Sequence, residues 1–345
     1  MIYPLAHPLL FRLHAERAHQ LSIAALKIAP LPAIGFTDRS LSQTVAGLFF
    51  PNPVGLAPGY DKDAEVPVEI LRLGFGFTEV GTLTPLPQKG NQRPRLFRLV
   101  EDRAVINRMG FNNEGQAEAI RRLQNLPFNA LPGPLGINIG ANKDSEDRVG
   151  DYVTGVVNME PYADYLTVNI SSPNTPGLRA LQDKEALDDL LAHTMAARRG
   201  DTPVFLKVAP DLEPADIDDI VEVSMARGIT ALIVSNTTIS RSPLKSRYAG
   251  EAGGLSGAPL RDLAQQRLVD FRKASGGAIP LIGVGGISSA EHAYARIRAG
   301  ASLVQVYSAL VYEGPGLART INKGLARLLK RDGFTSIAQA VGADA

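Results

Sequence analysis

Amides and hydroxyls crowd into one short segment, Asn169-Ile170-Ser171-Ser172-Pro173-Asn174-Thr175-Pro176-Gly177. Amides donate and accept along the edge of a flat ring, and a hydroxyl can move a proton. Proline fixes φ and glycine permits unusual φ, so the segment has a defined shape. It follows an apolar run, Tyr165-Leu166-Thr167-Val168, that reads as a buried strand. Polar groups at the end of a buried strand are costly unless they bind something. An ordinary turn uses the same residue types, so the meaning of the segment depends on what stands at the other strand ends.

Those ends are rich in chemistry. Ala57-Pro58-Gly59-Tyr60-Asp61-Lys62, Gly81-Thr82, Asn138 with Gly140, Lys207, Ser235-Asn236-Thr237-Thr238, Gly283-Val284-Gly285-Gly286-Ile287-Ser288 and Tyr307-Ser308 each follow or close an apolar run. A lysine at the end of a buried strand is poorly placed for water and seeks an anion. Lys207 could face a cofactor ring that gathers negative charge, and Lys62 a substrate carboxylate. The alternative is an ion pair with Asp61 or Glu79. Gly285 and Gly286 would let backbone N–H groups approach a phosphate, with Ser308 adding a hydroxyl and Gly253-Gly254-Leu255-Ser256-Gly257 a second glycine-rich loop. Tight turns are the alternative use of these glycines.

The elements that must position these residues alternate. Candidate strands are Val54–Leu56, Phe77–Val80, Leu135–Ile139, Leu166–Ile170, Val204–Val208, Ala231–Ser235, Pro280–Val284 and Leu303–Tyr307, with helical patterns such as Glu185–Ala197, Pro214–Arg227 and Leu260–Lys273 between them. This pattern predicts an α/β fold, a (β/α)8 TIM barrel, over residues 41–345. A doubly wound sheet is the alternative, and no dinucleotide fingerprint follows the first strand. Pro94–Val100 and Ala104–Arg108 around Glu101-Asp102-Arg103 predict a β-hairpin inserted after the second strand, which leads into Asn107-Arg108-Met109-Gly110-Phe111-Asn112-Asn113. Residues 1–40 form a small N-terminal helical extension. Leu5, Leu9, Leu10 and Leu13, then Leu21, Ala25 and Ile28 beside Leu26, recur at helical spacing before Pro30 and Pro32. Arg12, Arg17, Lys27 and Arg39 against Glu16 and Asp38 make this region mildly basic. Such a pair of helices either packs on the barrel or lies in a membrane interface.

Composition excludes several classes. The chain has no cysteine, which removes disulfides, thiolate metal sites and a cysteine nucleophile or base. Lysines and arginines number 36 against 35 aspartates and glutamates, so nothing points to nucleic acid. Of the five histidines, His7, His14 and His19 are N-terminal and none stands at a strand end, so no metal site is expected. No apolar stretch approaches the ~20 residues of a spanning helix. The N-terminus lacks signal-peptide features, and the chain is expected in the cytosol or resting on a membrane surface.

Taken together, these motifs resemble the dihydroorotate dehydrogenase family, specifically its membrane-associated, quinone-dependent class. The resemblance rests on the Asp61-Lys62 loop, Gly81-Thr82-Leu83-Thr84-Pro85, Arg95-Leu96-Phe97-Arg98, Asn107 to Asn113, Gly136-Ile137-Asn138-Ile139-Gly140, Asn169 to Gly177, Asn236-Thr237-Thr238 and Gly283 to Gly286, in that order. It implies FMN at the barrel mouth, its phosphate at Gly257, Gly286, Tyr307 and Ser308 and its ring beside Pro58, Thr82, Asn138, Asn169, Lys207 and Ser235, with Gly59, Tyr60, Asp61 and Lys62 also in the cofactor site. It implies that dihydroorotate is oxidised to orotate, in pyrimidine biosynthesis, between Lys62, Asn107, Arg108, Met109, Gly110, Phe111, Asn169, Asn174, Asn236 and Thr237. Ser172 aligns with the serine base of this class, and Thr175 could relay its proton. The N-terminal helices would dock on the cytoplasmic face of a bacterial inner membrane and admit ubiquinone or a related quinone, with His19 and Arg98 at that end and Tyr307 between them and the flavin. Pro58 and Tyr60 depart from the residues expected in their loop, and Ser235 stands where a threonine is common. The competing readings are another FMN barrel acting on tRNA, disfavoured by the balanced charge, and a binding barrel without chemistry, disfavoured by Ser172, Lys62 and Lys207.

Overall fold

A computed structural model describes residues 8, 10–28, 35–127, 130–241 and 243–345. Strands β3 (Val54–Leu56), β4 (Phe77–Leu83), β7 (Leu135–Ile139), β8 (Tyr165–Asn169), β9 (Val204–Val208), β10 (Ala231–Val234), β12 (Leu281–Val284) and β13 (Ala301–Val306) close into one parallel barrel. The expected barrel is therefore present, with strand ends shifted by a residue or two and β4 longer. These strands read as unbroken apolar runs because both faces are covered, by side chains inside and by helices outside. Helix Lys184–Ala196 buries Leu187, Leu190, Leu191 and Thr194, the one-sided stripe that a barrel helix needs. Helix starts are fixed locally: Asp147 accepts from the Gly150 N–H, Ser289 from the His292 N–H, and Glu213 and Asp216 form a capping box.

The barrel interior is layered. Its lower layer is apolar, with Phe77, Tyr165, Phe205, Ile233, Ile282 and Leu303 packed together and Tyr165 stacked on Phe205 at 4.3 Å. A hairpin not expected from the sequence, β1 (Gln43–Val45) with β2 (Leu48–Phe50), plugs the floor. Phe50 meets Phe77 edge-on, ring centroids 5.2 Å apart.

At the other end the expected hairpin forms as β5 (Leu96–Leu99) and β6 (Ala104–Asn107). The glycine-rich stretch expected as a loop is in part a strand, β11 (Gly254–Gly257), antiparallel to β6. Glycine suits it because a Cβ on Gly254 would fall 2.0 Å from Thr237 Oγ1. Of the N-terminal extension, residue 8 and residues 10–12 are helical and α1 spans Ala15–Ile28. Leu5, Leu9, Pro30 and Pro32 lie outside the described residues. No helix among the described residues is long and apolar enough to cross a membrane.

Because Phe50 is fully buried as the barrel plug, Phe50→Ala is expected to cost about 3–5 kcal/mol. Urea unfolding checks this: the midpoint should fall with little change in slope.

Candidate active site

The site grows out of the polar upper layer of the barrel. Glu79 on β4 is 1% exposed. Its carboxylate accepts from Asn138 Nδ2 at 2.7 Å, Gln305 Nε2 at 2.7 Å and the Tyr165 hydroxyl at 3.3 Å. Asn138 Oδ1 in turn accepts from Thr82 Oγ1 at 2.6 Å and Asn169 Nδ2 at 3.1 Å. Asn169 Oδ1 accepts from the Ser171 hydroxyl at 2.9 Å, and Ser171 Oγ from Asn236 Nδ2 at 3.0 Å. One hydrogen-bonded line thus runs from the barrel centre to its rim, crossing the ends of β4, β7, β8 and β10.

Above this layer lies a cavity of about 730 Å³. Pro58, Gly59, Tyr60, Lys62, Thr82, Asn107, Met109, Gly110, Phe111, Asn169, Ser172, Asn174, Lys207, Ser235, Asn236, Thr237, Gly257, Gly286, Tyr307 and Ser308 all line it, as do His19 and Arg98. Three expected residues do not. Asp61 turns away and accepts from the Glu65 and Val66 N–H groups at 2.8 Å each, closing its own loop. Arg108 pairs with Glu251 at 2.7 Å and lies over the Phe97 ring. Asn138 stands behind Thr82 and Asn169. A buried carboxylate facing backbone donors and an arginine with an acidic partner are both satisfied without a ligand, and their sequence neighbours gave no sign of this.

The sequence reading did not single out Ser256 or Gln305 for the site. Ser256 Oγ meets Ser308 Oγ at 2.7 Å on the cavity wall. Gln305 was visible in principle as a lone polar residue inside the apolar strand Leu303-Val304-Gln305-Val306. Ser256 depends on the pairing of β11 with β6, which no local pattern encodes.

The electrostatics are unusual for a protein interior. Neither Lys62 nor Lys207 has a carboxylate within ion-pair distance among the described residues. The alternative of an ion pair with Asp61 or Glu79 is therefore not found among the described residues, although the Glu79 charge acts on Lys207 from further off. Burial pushes the Lys62 ammonium down to about 8, with Asp63 acting against that shift. Burial also lowers Lys207. His19 is held down at about 4, by burial first and by the Lys62 charge second, so it is neutral at neutral pH. Burial raises the Tyr307 phenol, whose hydroxyl donates to the Gly59 carbonyl at 3.0 Å.

The far end of the cavity is roofed by α1, with Ala15, Ala18, His19, Leu21, Ser22, Ala25 and Leu26 in its wall. Tyr60 stands between the two ends. Its ring is edge-on to His19 at 5.2 Å and to Tyr307 at 6.2 Å, and its hydroxyl donates to Ser22 at 3.0 Å. Arg98 donates to the Leu10, Phe11 and Leu13 carbonyls, pinning the start of the extension.

Such a site can hold a flat, amide-edged ring with an anionic group, move a proton at Ser172, and give an apolar molecule a route beneath α1. Comparisons with known proteins identify the family. The family model for dihydroorotate dehydrogenase matches residues 40–329. The dihydroorotate dehydrogenase (quinone) of Sphingopyxis alaskensis is 64% identical over 99% of this chain and 97% of its own. That of Erythrobacter litoralis is 63% identical over the full length of both. The crystal structure of ligand-free DHODH from Eimeria tenella superposes with a TM-score of 0.92 at 38% identity, covering 96% of this chain and 99% of that one. With the family matched over most of its length and close relatives over nearly all of it, this chain belongs to the dihydroorotate dehydrogenase family.

Proposed function

We propose that this enzyme binds FMN in the barrel mouth, oxidises dihydroorotate to orotate, and delivers the electrons to ubiquinone or a related quinone that enters beneath α1. The observation that carries this reading is the continuity of one cavity, from the amides around Ser172 past Lys207 to the apolar underside of α1. The residues fit the flavin. A Cβ on Gly286 would fall 2.5 Å from Arg261 Cα, so only a bare backbone can form that wall, and Thr237 Oγ1 is buried without a partner. Lys207 is a buried cation with no carboxylate within ion-pair distance among the described residues. When bound, FMN supplies the hydride acceptor and the link between the two half-reactions.

Ser172 takes the proton from substrate C5. A serine hydroxyl is a very weak base, so its burial in a water-poor wall matters. Thr175, whose buried Oγ1 has no hydrogen-bond partner among the described residues, provides the relay. Asn107, Asn174 and Asn236 hold the amide edges of the substrate ring, and Lys62 holds its carboxylate. Lys207 stabilises negative charge on the reduced cofactor. Gly257, Gly286, Tyr307 and Ser308 surround the phosphate, while Pro58, Gly59, Tyr60, Thr82 and Ser235 flank the ring, with Asn138 orienting Thr82. His19, Arg98 and Tyr60 shape the quinone end.

Residues 1–40 serve as the membrane and quinone-access region, and residues 41–345 as the barrel. Helix α1 buries Ile23 and the charged Glu16, yet leaves Leu21 exposed at 51% and Ile28 at 84%, with Leu13 exposed just before it. Arg12 and Arg17 are exposed beside them. Apolar side chains among cations suit an anionic bilayer surface, here the cytoplasmic face of a bacterial inner membrane.

Three outcomes test this. Ser172→Ala should slow anaerobic flavin bleaching by dihydroorotate about 10²–10⁴-fold while FMN stays bound. An unchanged rate would remove Ser172 from the chemistry. Lys62 is charged below its value of about 8, so orotate affinity should be full below that pH and weaken as pH rises through it. The Lys62→Met variant should bind weakly at every pH. Leu13→Glu with Ile28→Glu should reduce co-sedimentation with anionic vesicles several-fold, on the order expected for losing apolar anchors, while flavin bleaching continues at its normal rate.

A further inference from the structure

The segment between the two ends of the cavity's rim carries an arrangement that the reaction does not account for. Glu16, on α1, is buried, and its carboxylate accepts from Arg95 Nη2 at 2.7 Å and Arg93 Nη2 at 3.0 Å. Burial raises its pKa, but the Arg95 and Arg93 guanidiniums prevail and hold it below the usual carboxylate range. The Arg95 guanidinium is itself buried and has a second set of contacts. Its Nη1 donates to the Lys89 carbonyl at 2.6 Å and the Asn91 carbonyl at 2.9 Å.

Asn91 is then fixed from every side. Its N–H donates to the Met109 carbonyl at 3.0 Å, and its Oδ1 accepts from Lys143 Nζ at 3.1 Å. It packs so close to Gly110 that a Cβ there would fall 2.7 Å from Asn91 Nδ2. That one remaining donor reaches across 83 residues of sequence to the Asn174 carbonyl, at 3.1 Å. Asn174 lies in the Ser172 segment, its N–H donating to Ser172 Oγ at 3.3 Å and its side chain to Asn107 Oδ1 at 3.3 Å. A rigid strut therefore joins the roof of one half of the cavity to the segment that closes the other.

We propose that Asn91 is a positioning residue for the Ser172 loop, and that Arg95 and Glu16 tie it to α1, so that closure over the substrate depends on how α1 is seated. The inference rests on the reading of Ser172 as the base only for its effect on rate; the mechanical link stands on the contacts themselves. A helix docked on lipid would in this way hold the substrate end in its closed geometry, and the two half-reactions would share one conformational requirement.

The test uses the FMN-loaded full chain. Asn91→Asp keeps the shape and the Lys143 contact but removes the donor to Asn174, and Asn91→Ala removes both. Each should weaken orotate binding, followed by flavin absorbance, about tenfold, the order of one lost hydrogen bond, and should speed hydrogen exchange across residues 171–178. Glu16→Gln should move both readouts the same way, and in the double variant with Asn91→Ala the losses should not add. Lys27→Ala, which cuts a separate tie of α1, to Glu65, should leave residues 171–178 unchanged. Wild-type affinity and exchange in Asn91→Asp would overturn the positioning role, and additive losses in the double variant would overturn the link to α1. Asn91→Asp touches neither the helix nor the salt bridge, so its result holds even if Glu16→Gln misfolds. Failure of dihydroorotate to bleach the wild-type flavin would sink the proposed reaction, and the exchange data would still decide the link.

Discussion

A carboxylate buried at the centre of a barrel is tolerable only when it is paired or fully hydrogen-bonded, and Glu79 sets that condition here. Asn138, Gln305 and Tyr165 meet it from β7, β13 and β8, and Lys207 faces it electrostatically from β9. Those strands must therefore keep a register that aims these side chains inward at one level, and the pairing of Asn169 with Lys207 and of Gly81 with Asn138 does so. Below this level the interior is hydrocarbon. Above it, Asn138 passes the constraint outward to Thr82, Asn169, Ser171 and Asn236. The site is thus an extension of the core's polar bookkeeping, and its geometry is as rigid as the barrel.

That rigidity lets the cavity keep charges that a protein would otherwise avoid. Among the described residues no carboxylate comes within ion-pair distance of Lys62 or Lys207, and burial lowers both. Their desolvation is offset when an anion enters, which favours binding of a carboxylate or an electron-rich ring over water. The bare backbone at Gly286 has a different cause: at φ +72° a Cβ there would run into the Arg261 backbone, 2.5 Å from its Cα.

At the other end, α1 follows the opposite rule. It seats Ile23 in the core but also buries a charge, which Arg95 holds, while Leu21 and Ile28 stay exposed. The buried ion pair carries a desolvation cost that an apolar contact would not, so it is weak evidence for stability, while breaking it would strand a buried charge. It also places Arg95 against the segment containing Asn91, so the helix, the hairpin β5–β6 and the Ser172 loop form one connected unit.

Much of this was legible along the chain. The alternation of apolar runs with helical stretches determined the barrel, because a parallel strand covered on both faces has no choice but to be apolar throughout. Strand-end residues such as Lys62, Thr82, Asn169, Lys207 and Ser235 were visible because polar groups in such places are costly without a purpose. The plugging hairpin at Phe50 was not legible: its strands are three residues each, too short for periodicity to register. Nor was β11, whose glycines read as a loop until Thr237 and β6 crowd them. Asp61 and Arg108 sit within site-like motifs, yet Asp61 turns to the N–H groups of Glu65 and Val66 in its own loop, and Arg108 to Glu251, 143 residues away in sequence. The Glu16–Arg95–Asn91–Asn174 line belongs to the same class. Sequence decided which residues are present at each strand end; only the closed barrel, by bringing residues 16, 91, 95 and 174 within hydrogen-bonding distance, decided which of them act together.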